Sequence, residues 1–171
     1  IGALKVSNGV ISDQFMTYVK PVFDIPATAT SVNRITYETV KDAPSIKEAL
    51  SGFLTFAGKS VLVGYNIGSF DLQILQRDAH YELDKTITND YVDVLPMARR
   101  ALIGLDNHKL STVANALHIS ADNAHDALFD CNMTLQCFEE LRKRVDITVK
   151  NSKDVKRPYK KEYEQEDLET A

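Results

Sequence analysis

A strong hairpin signal followed by strands that alternate with helices constrains this chain most. Ile1 to Ser7 carries apolar residues at Ile1, Ala3, Leu4 and Val6, and Asn8-Gly9 follows. Both turn positions tolerate positive φ, so Val10 to Val19 is expected as the return strand. Beyond a loop bracketed by Pro21 and Pro26, the polar stretch Thr36 to Pro44 leads into a predicted helix from about Ser45 to Phe56. Its apolar face is Ile46, Ala49, Leu50, Phe53, Leu54 and Ala57. The run Val61-Leu62-Val63 within 60–64 is too short for a helix and is expected as a buried strand. A helix over about 69–81, a strand over 91–95, a helix opened by Pro96, and helices over 109–117 and 124–145 complete the pattern. Strands alternating with helices after a hairpin predict an α/β fold, a mixed sheet with helices on both faces.

Composition narrows the function classes. The 171 residues suit one domain with a sizeable core, and 44% hydrophobic with 26% charged content is ordinary for a globular protein. A net charge of −4 argues against a protein that coats nucleic acid non-specifically. It leaves room for a nuclease, whose bound cations would offset acidic side chains. No apolar stretch is long enough for a membrane span, no signal-peptide pattern opens the chain, and a cytoplasmic setting is expected. Cys131 and Cys137 lie six apart on one predicted helix, a spacing that fits neither a metal knuckle nor a disulfide. From Thr148 onward the sequence turns to Lys, Glu, Asp, Arg and Tyr, so the domain is expected to cover 1–147, with 148–171 a polar charged tail or linker.

Two motifs carry the candidate chemistry. Gly64-Tyr65-Asn66-Ile67-Gly68-Ser69-Phe70-Asp71 follows a strand and places Asp71 in the first turn of a helix, near a strand end where ligands of open α/β sheets bind. Standing alone, such an Asp more often just complements the helix dipole. Asn66 is a candidate donor to substrate or a simple turn residue, and Phe70 a base-stacking ring or a core residue. The second motif is His125-Asp126-Ala127-Leu128-Phe129-Asp130. Asp130 lies among apolar neighbours, where a carboxylate needs a cation or donors. His125 could serve as general base to a metal-bound water or be a plain helix-start residue. Two carboxylates with a His beside them suit hydrolysis assisted by divalent metals. Asp93 reads as the N-cap of the following helix, and Arg99-Arg100, Lys156-Arg157 and Lys160-Lys161 as solvated charges with phosphate contact as the alternative.

These motifs resemble the DEDDh (DnaQ-like) family of 3′–5′ exonucleases, which includes the proofreading type associated with bacterial DNA polymerase III. Tyr65-Asn66 and Phe70-Asp71 match its His-Asn-x-x-Phe-Asp motif, with one extra residue before Phe70 and Tyr65 in place of His. His125, Ala127 and Asp130 match its His-x-Ala-x-x-Asp motif. Ile1 to Val6, Ile35-Thr36, Asp42 to Pro44 and His108 to Leu110 resemble further family segments, so the similarity runs from Ile1 to about Val145. The family's first motif, a strand ending Asp-x-Glu-Thr, has no match ahead of Ile1. The expected fold is therefore a ribonuclease H-like mixed sheet lacking its first strand, in an N-terminally incomplete domain. Asp167-Leu168-Glu169-Thr170 repeats the missing pattern but follows residues too polar for an inner strand, and is read as coincidence.

What the resemblance implies is a metal-dependent 3′–5′ exonuclease that releases nucleoside 5′-monophosphates and uses two Mg²⁺ or Mn²⁺ ions. Asp71 and Asp130 would be metal ligands, His125 the catalytic base, and Asn66 and Phe70 substrate contacts. The expected partners are single-stranded 3′ ends, DNA ahead of RNA, and a DNA polymerase. The alternative is a catalytically incomplete exonuclease-fold module that binds a polymerase or a nucleic-acid end. A generic α/β interaction domain with accidental motifs is a third reading.

Overall fold

The computed structural model describes residues 1–121 and 127–155. His125, Asp167, Glu169 and the basic pairs at 156–157 and 160–161 lie outside the described residues. Strand β1 (Gly2–Ser7) pairs antiparallel with β2 (Val10–Met16). The turn needs positive φ at both corners, and Asn8 at 53° and Gly9 at 78° supply it. The hairpin carries a register shift between Lys5 and Val6, and β2 stops at Met16, short of the expected Val19. Helices α1 (Ala27–Asn33) and α2 (Tyr37–Val40) lie beyond the Pro21–Pro26 loop, where the sequence pattern assigns no helix. Both are short, and α2 is held by a reciprocal Thr36–Thr39 cap in place of an apolar stripe, so periodicity could not reveal them.

Helix α3 (Ile46–Ala57) starts where Ser45 accepts from the Glu48 N–H while Glu48 reaches back to the Ser45 N–H, a capping box. Strand β3 (Leu62–Gly64), helix α4 (Asp71–Leu83), strand β4 (Asp90–Asp93) and helix α5 (Val94–Ala101) follow. Helix α5 begins two residues before Pro96, because Asp93 caps it. Helices α6 (Leu110–Ala116) and α7 (Ala127–Leu141) come next. Beyond them, β5 (Lys150–Asn151) pairs antiparallel with β4, so the first residues of the polar segment extend the sheet. Ser152, fully buried, donates its hydroxyl to the Ile87 carbonyl and secures that segment. Composition alone could not show this, since two backbone-paired residues need no apolar side chains.

Strand β3 runs parallel to β4 and β5 antiparallel to it, in the order β3-β4-β5. Adjacent residues of β4 point to opposite faces, and the core divides accordingly. Tyr91 packs with Leu50, Phe53, Ile67, Leu72 and Ile87, the side covered by α3 and α4. Val92 packs with Met97, Val113, Met133, Cys137 and Leu141, the side covered by α5, α6 and α7. This is the ribonuclease H-like mixed sheet with helices on both faces.

The hairpin lies between the same two helical layers. Phe15 meets Phe53 and Phe56 of α3, with ring centroids 6.2 and 5.6 Å apart. On the other side α7 contacts both β1 and β3, and the Cys131 thiol donates to the Gly2 carbonyl at 3.3 Å. Yet among the described residues no ladder joins β1 to β3. The strand layer is thus interrupted beneath α7. Val61 and Val63, expected as buried, remain 49% and 40% exposed, because β3 has a described partner strand on one side only.

Leu50 is completely buried between the α3–α4 layer and the strands. Leu50→Ala is expected to cost about 2–5 kcal/mol in urea unfolding, whereas Val22→Ala, at an exposed loop site, stays within about 0.5 kcal/mol.

Candidate active site

The motif loop between β3 and α4 is built around a carboxylate that does not belong to it. Parallel pairing sets Gly64 opposite Asp93, which brings the Asp93 side chain to the crossover. Its Oδ1 accepts from the Asn66 N–H at 2.9 Å and from the Leu95 N–H at 3.1 Å, and its Oδ2 accepts from the Gly68 N–H at 3.3 Å. Asp93 is therefore the α5 cap expected from sequence and also the anchor of the loop. Hydrogen bonds to an ionised carboxylate are among the stronger ones in proteins.

Held this way, Asn66 adopts φ of 61°, a left-handed conformation that Asn accepts more readily than most residues. Its carbonyl accepts from the N–H groups of Ser69 and Phe70 at 3.2 and 3.1 Å, turning the chain into α4. Gly68 passes over the Tyr91 ring so closely that a Cβ there would stand 3.0 Å from its hydroxyl. Tyr65, where the family motif has His, donates its hydroxyl to the His108 carbonyl at 2.7 Å and so ties the loop to the segment leading into α6. Burial pushes the Tyr65 hydroxyl far above its usual range, which keeps it a donor.

The loop delivers two of the candidate residues to the surface. Phe70 is 58% exposed, so its ring is not a core element. Asp71 opens α4 and is exposed. Desolvation pushes its carboxyl up and the nearby Asp93 charge adds to this, against a lowering backbone hydrogen bond. A carboxylate made uncomfortable by lost water and a like charge is one that a cation relieves.

Asp130 stands in the first turn of α7, half-buried. The same helix touches β3, the strand that feeds the motif loop. Oxygen donors of this kind suit hard divalent cations. Among the described residues, however, no group of three or more His, Cys, Asp and Glu side chains is gathered closely enough to hold a metal ion. Asp71 and Asp130 are thus not joined by a third such side chain among the described residues. The buried thiol of Cys137 is pushed up to about 11 by desolvation and belongs to the core beneath α5 and α6.

The wider role of Asp93 and the presence of Gln73 beside the loop were not legible from the motifs. Gln73 is buried and donates its Nε2 to the Gly68 carbonyl at 3.0 Å. The available signal was a turn residue at positive φ, which needs an external anchor, two residues beyond a strand end.

Because the raised Asp71 carboxyl favours its neutral form in the folded state, its contribution to stability is fully present below the ordinary carboxylate range. It is lost as pH rises through the elevated value. Asp71→Asn, which stays neutral, is expected to raise the melting temperature at pH 7 by roughly 1–2 °C after solvent screening, with no gain near pH 3. A scan of the two proteins without divalent ions at both pH values checks this.

Comparison with known proteins agrees with this geometry. The family model RNase_T, described as exonuclease, matches residues 1–138. The chain is 36% identical over 151 residues to the DNA polymerase III PolC-type protein of Clostridium perfringens, covering 86% of this chain but 10% of that protein. It is 28% identical over 138 residues to DNA polymerase III subunit epsilon of Aquifex aeolicus, covering 81% of this chain and 68% of that protein. The chain spans about a tenth of the length of the PolC-type relative. A solved structure of Exonuclease X in complex with 5′ overhanging duplex DNA superposes with a TM-score of 0.68 at 21% identity, over 83% of this chain and 80% of that one. That likeness speaks for the fold. With the motif loop and the acidic first turn of α7 in place, the chain belongs to the DEDDh, DnaQ-like 3′–5′ exonuclease family, related to the proofreading exonucleases of DNA polymerase III.

Proposed function

We propose that this chain is an exonuclease-fold module that binds a nucleic-acid 3′ end and, by itself, holds only part of the machinery for cleaving it. The observation that carries this reading is the interrupted strand layer. The edges of β1 and β3 lie under α7 without a bridging strand among the described residues, and no ligand cluster of three is gathered there. Asp71 and Asp130 form one half of a two-cation site, and a strand lying between β1 and β3 would bring the other half to the same sheet end.

In this reading Phe70 stacks on the terminal base, and Asn66 donates to the last nucleotide. Asp71 and Asp130 are the residues that would hold Mg²⁺ or Mn²⁺, and His125 is the base that takes a proton from water. Two such ions supply an activated water and a stabilised leaving oxygen when bound. The protein's part is to aim carboxylates, exclude some water and stack the end. A nucleic-acid end in a region flanked by carboxylates binds well only when cations are present, so its affinity should depend on divalent ions.

The second reading is a complete metal-dependent 3′–5′ exonuclease of the proofreading kind. It would release nucleoside 5′-monophosphates, DNA being preferred to RNA, in the company of a polymerase. The 36% identity to a PolC-type polymerase favours it.

One experiment separates the two. A 5′-labelled single-stranded DNA is incubated with the chain and Mn²⁺, and anisotropy and cleavage are followed together. The expected result is 3′-end binding in the micromolar range that weakens about tenfold with chelator or in Asp71→Asn. No ladder should appear. A metal-dependent ladder from the 3′ end that vanishes in Asp130→Ala would instead establish the complete exonuclease. Absence of metal-dependent binding would overturn both readings.

A further inference from the structure

Behind the motif loop lies a second concavity, between the loop, α5 and β5. Its cavity volume is about 260 Å³, and Asn66, Gly68, Ser69 and Gln73 line it on one side. Neither Phe70, Asp71 nor Asp130 lines it. Two cationic side chains, Arg99 from α5 and Lys150 from β5, contribute to its wall, and Leu95, Pro96 and Val155 give it apolar surface. The acidic group present is Asp93, whose oxygens already accept three backbone N–H bonds and are largely compensated.

Gln73 marks this concavity as built for a ligand. The side chain is 9% exposed, and its Nε2 is committed to the Gly68 carbonyl. That bond fixes the amide's orientation, because the flipped form would set oxygen against oxygen. The Oε1 atom is buried and has no hydrogen-bond partner among the described residues. A buried acceptor left without a donor costs about 1–3 kcal/mol, so such atoms are normally satisfied by something. Gln73 is itself one of the residues lining the concavity.

A suitable ligand carries an anionic group for Arg99 and Lys150, an N–H or O–H donor for Gln73, and a modest apolar body for Leu95, Pro96 and Val155. We propose that this concavity binds a nucleoside 5′-monophosphate, with the phosphate against Arg99 and Lys150 and a base or sugar donor on Gln73 Oε1. The volume is small for more than one nucleotide. The choice of a nucleotide over another phosphate monoester rests on the exonuclease-family reading above; the charge and donor requirements do not.

Occupancy would act on the site through shared parts. Asn66, Gly68 and Ser69 line the concavity and lie just ahead of Asp71, and Gln73 lies two residues further along the same helix. A mononucleotide seated here stiffens the loop that presents Phe70 and Asp71, and so couples product level to binding of a 3′ end.

The test is titration of the chain with deoxyadenosine 5′-monophosphate in the presence of chelator, so that metal-dependent binding at Asp71 and Asp130 is silent. Calorimetry gives affinity, and the side-chain amide signal of Gln73 gives position. The expected result is a sub-millimolar Kd, a shift of the Gln73 side-chain amide, and at least fivefold weakening in Arg99→Gln and in Lys150→Ala. Both residues are exposed, so these variants should fold. Inorganic phosphate alone and deoxyadenosine alone should each bind at least tenfold more weakly, and Asp130→Asn should leave the titration unchanged. No binding up to about 5 mM would mean that water alone satisfies Gln73, and it overturns the proposal. So would binding that ignores Arg99 and Lys150 or is lost in Asp130→Asn. Because this titration needs no metal and the 3′-end assay does, failure of one is distinguishable from failure of the other.

Discussion

The Asp93 carboxylate, gathering the N–H groups of Asn66, Gly68 and Leu95, is the interaction on which the site depends. It acts at the junction of three elements. The register of β3 on β4 puts Asp93 opposite Gly64, the α5 N-terminus needs a cap, and the crossover to α4 needs an anchor. One side chain meets all of these demands. Without it, the left-handed turn at Asn66 would rest on its own carbonyl contacts to Ser69 and Phe70. The cost of this economy is electrostatic: the carboxyl of Asp71 is raised chiefly by desolvation, and the Asp93 charge adds a smaller push in the same direction. A divalent ion at Asp71 would turn that repulsion into a binding preference, which links the scaffold to the chemistry.

The second constraint is the interrupted strand layer. The hairpin is clamped by Phe15 on α3 and by α7 over β1, and the three-stranded sheet is clamped by the same two layers. Between them, backbone groups of β1 and β3 are available to a strand, and Val61 and Val63 offer apolar surface beside the opening. Unpaired strand edges next to apolar side chains favour strand addition. A strand added there would extend the hydrogen bonding and cover the valines.

Much of this was readable in the residues. The Asn8-Gly9 turn, the helix from about Ser45, the strand–loop–helix around Asp71 and the long helix bearing Asp130 each have a local cause, so local pattern reveals them. Other features depend on contacts between distant segments. The pairing of Lys150 and Asn151 with β4 uses backbone groups, and nothing in their polar side chains announces it. Val61 and Val63 read as buried because a short apolar run implies two covered faces, while actual cover depends on which strands are neighbours. The motif resemblance points to Asp71 and Asp130 as candidates and not to Gln73, one of whose two polar atoms is hydrogen-bonded while the other is not.

The central claim, that Asp93 holds the loop that presents Asp71, is tested most directly by amide hydrogen exchange in the wild-type chain and in Asp93→Ala. Asn66 and Gly68 should be protected in the wild type and should exchange together at least tenfold faster in the variant, equivalent to about 1.4 kcal/mol of lost local stability, while Phe53 in α3 keeps its protection. Unchanged protection at Asn66 and Gly68 would contradict the account. So would a uniform rise that includes Phe53, because Asp93 would then be supporting the fold as a whole and not the loop.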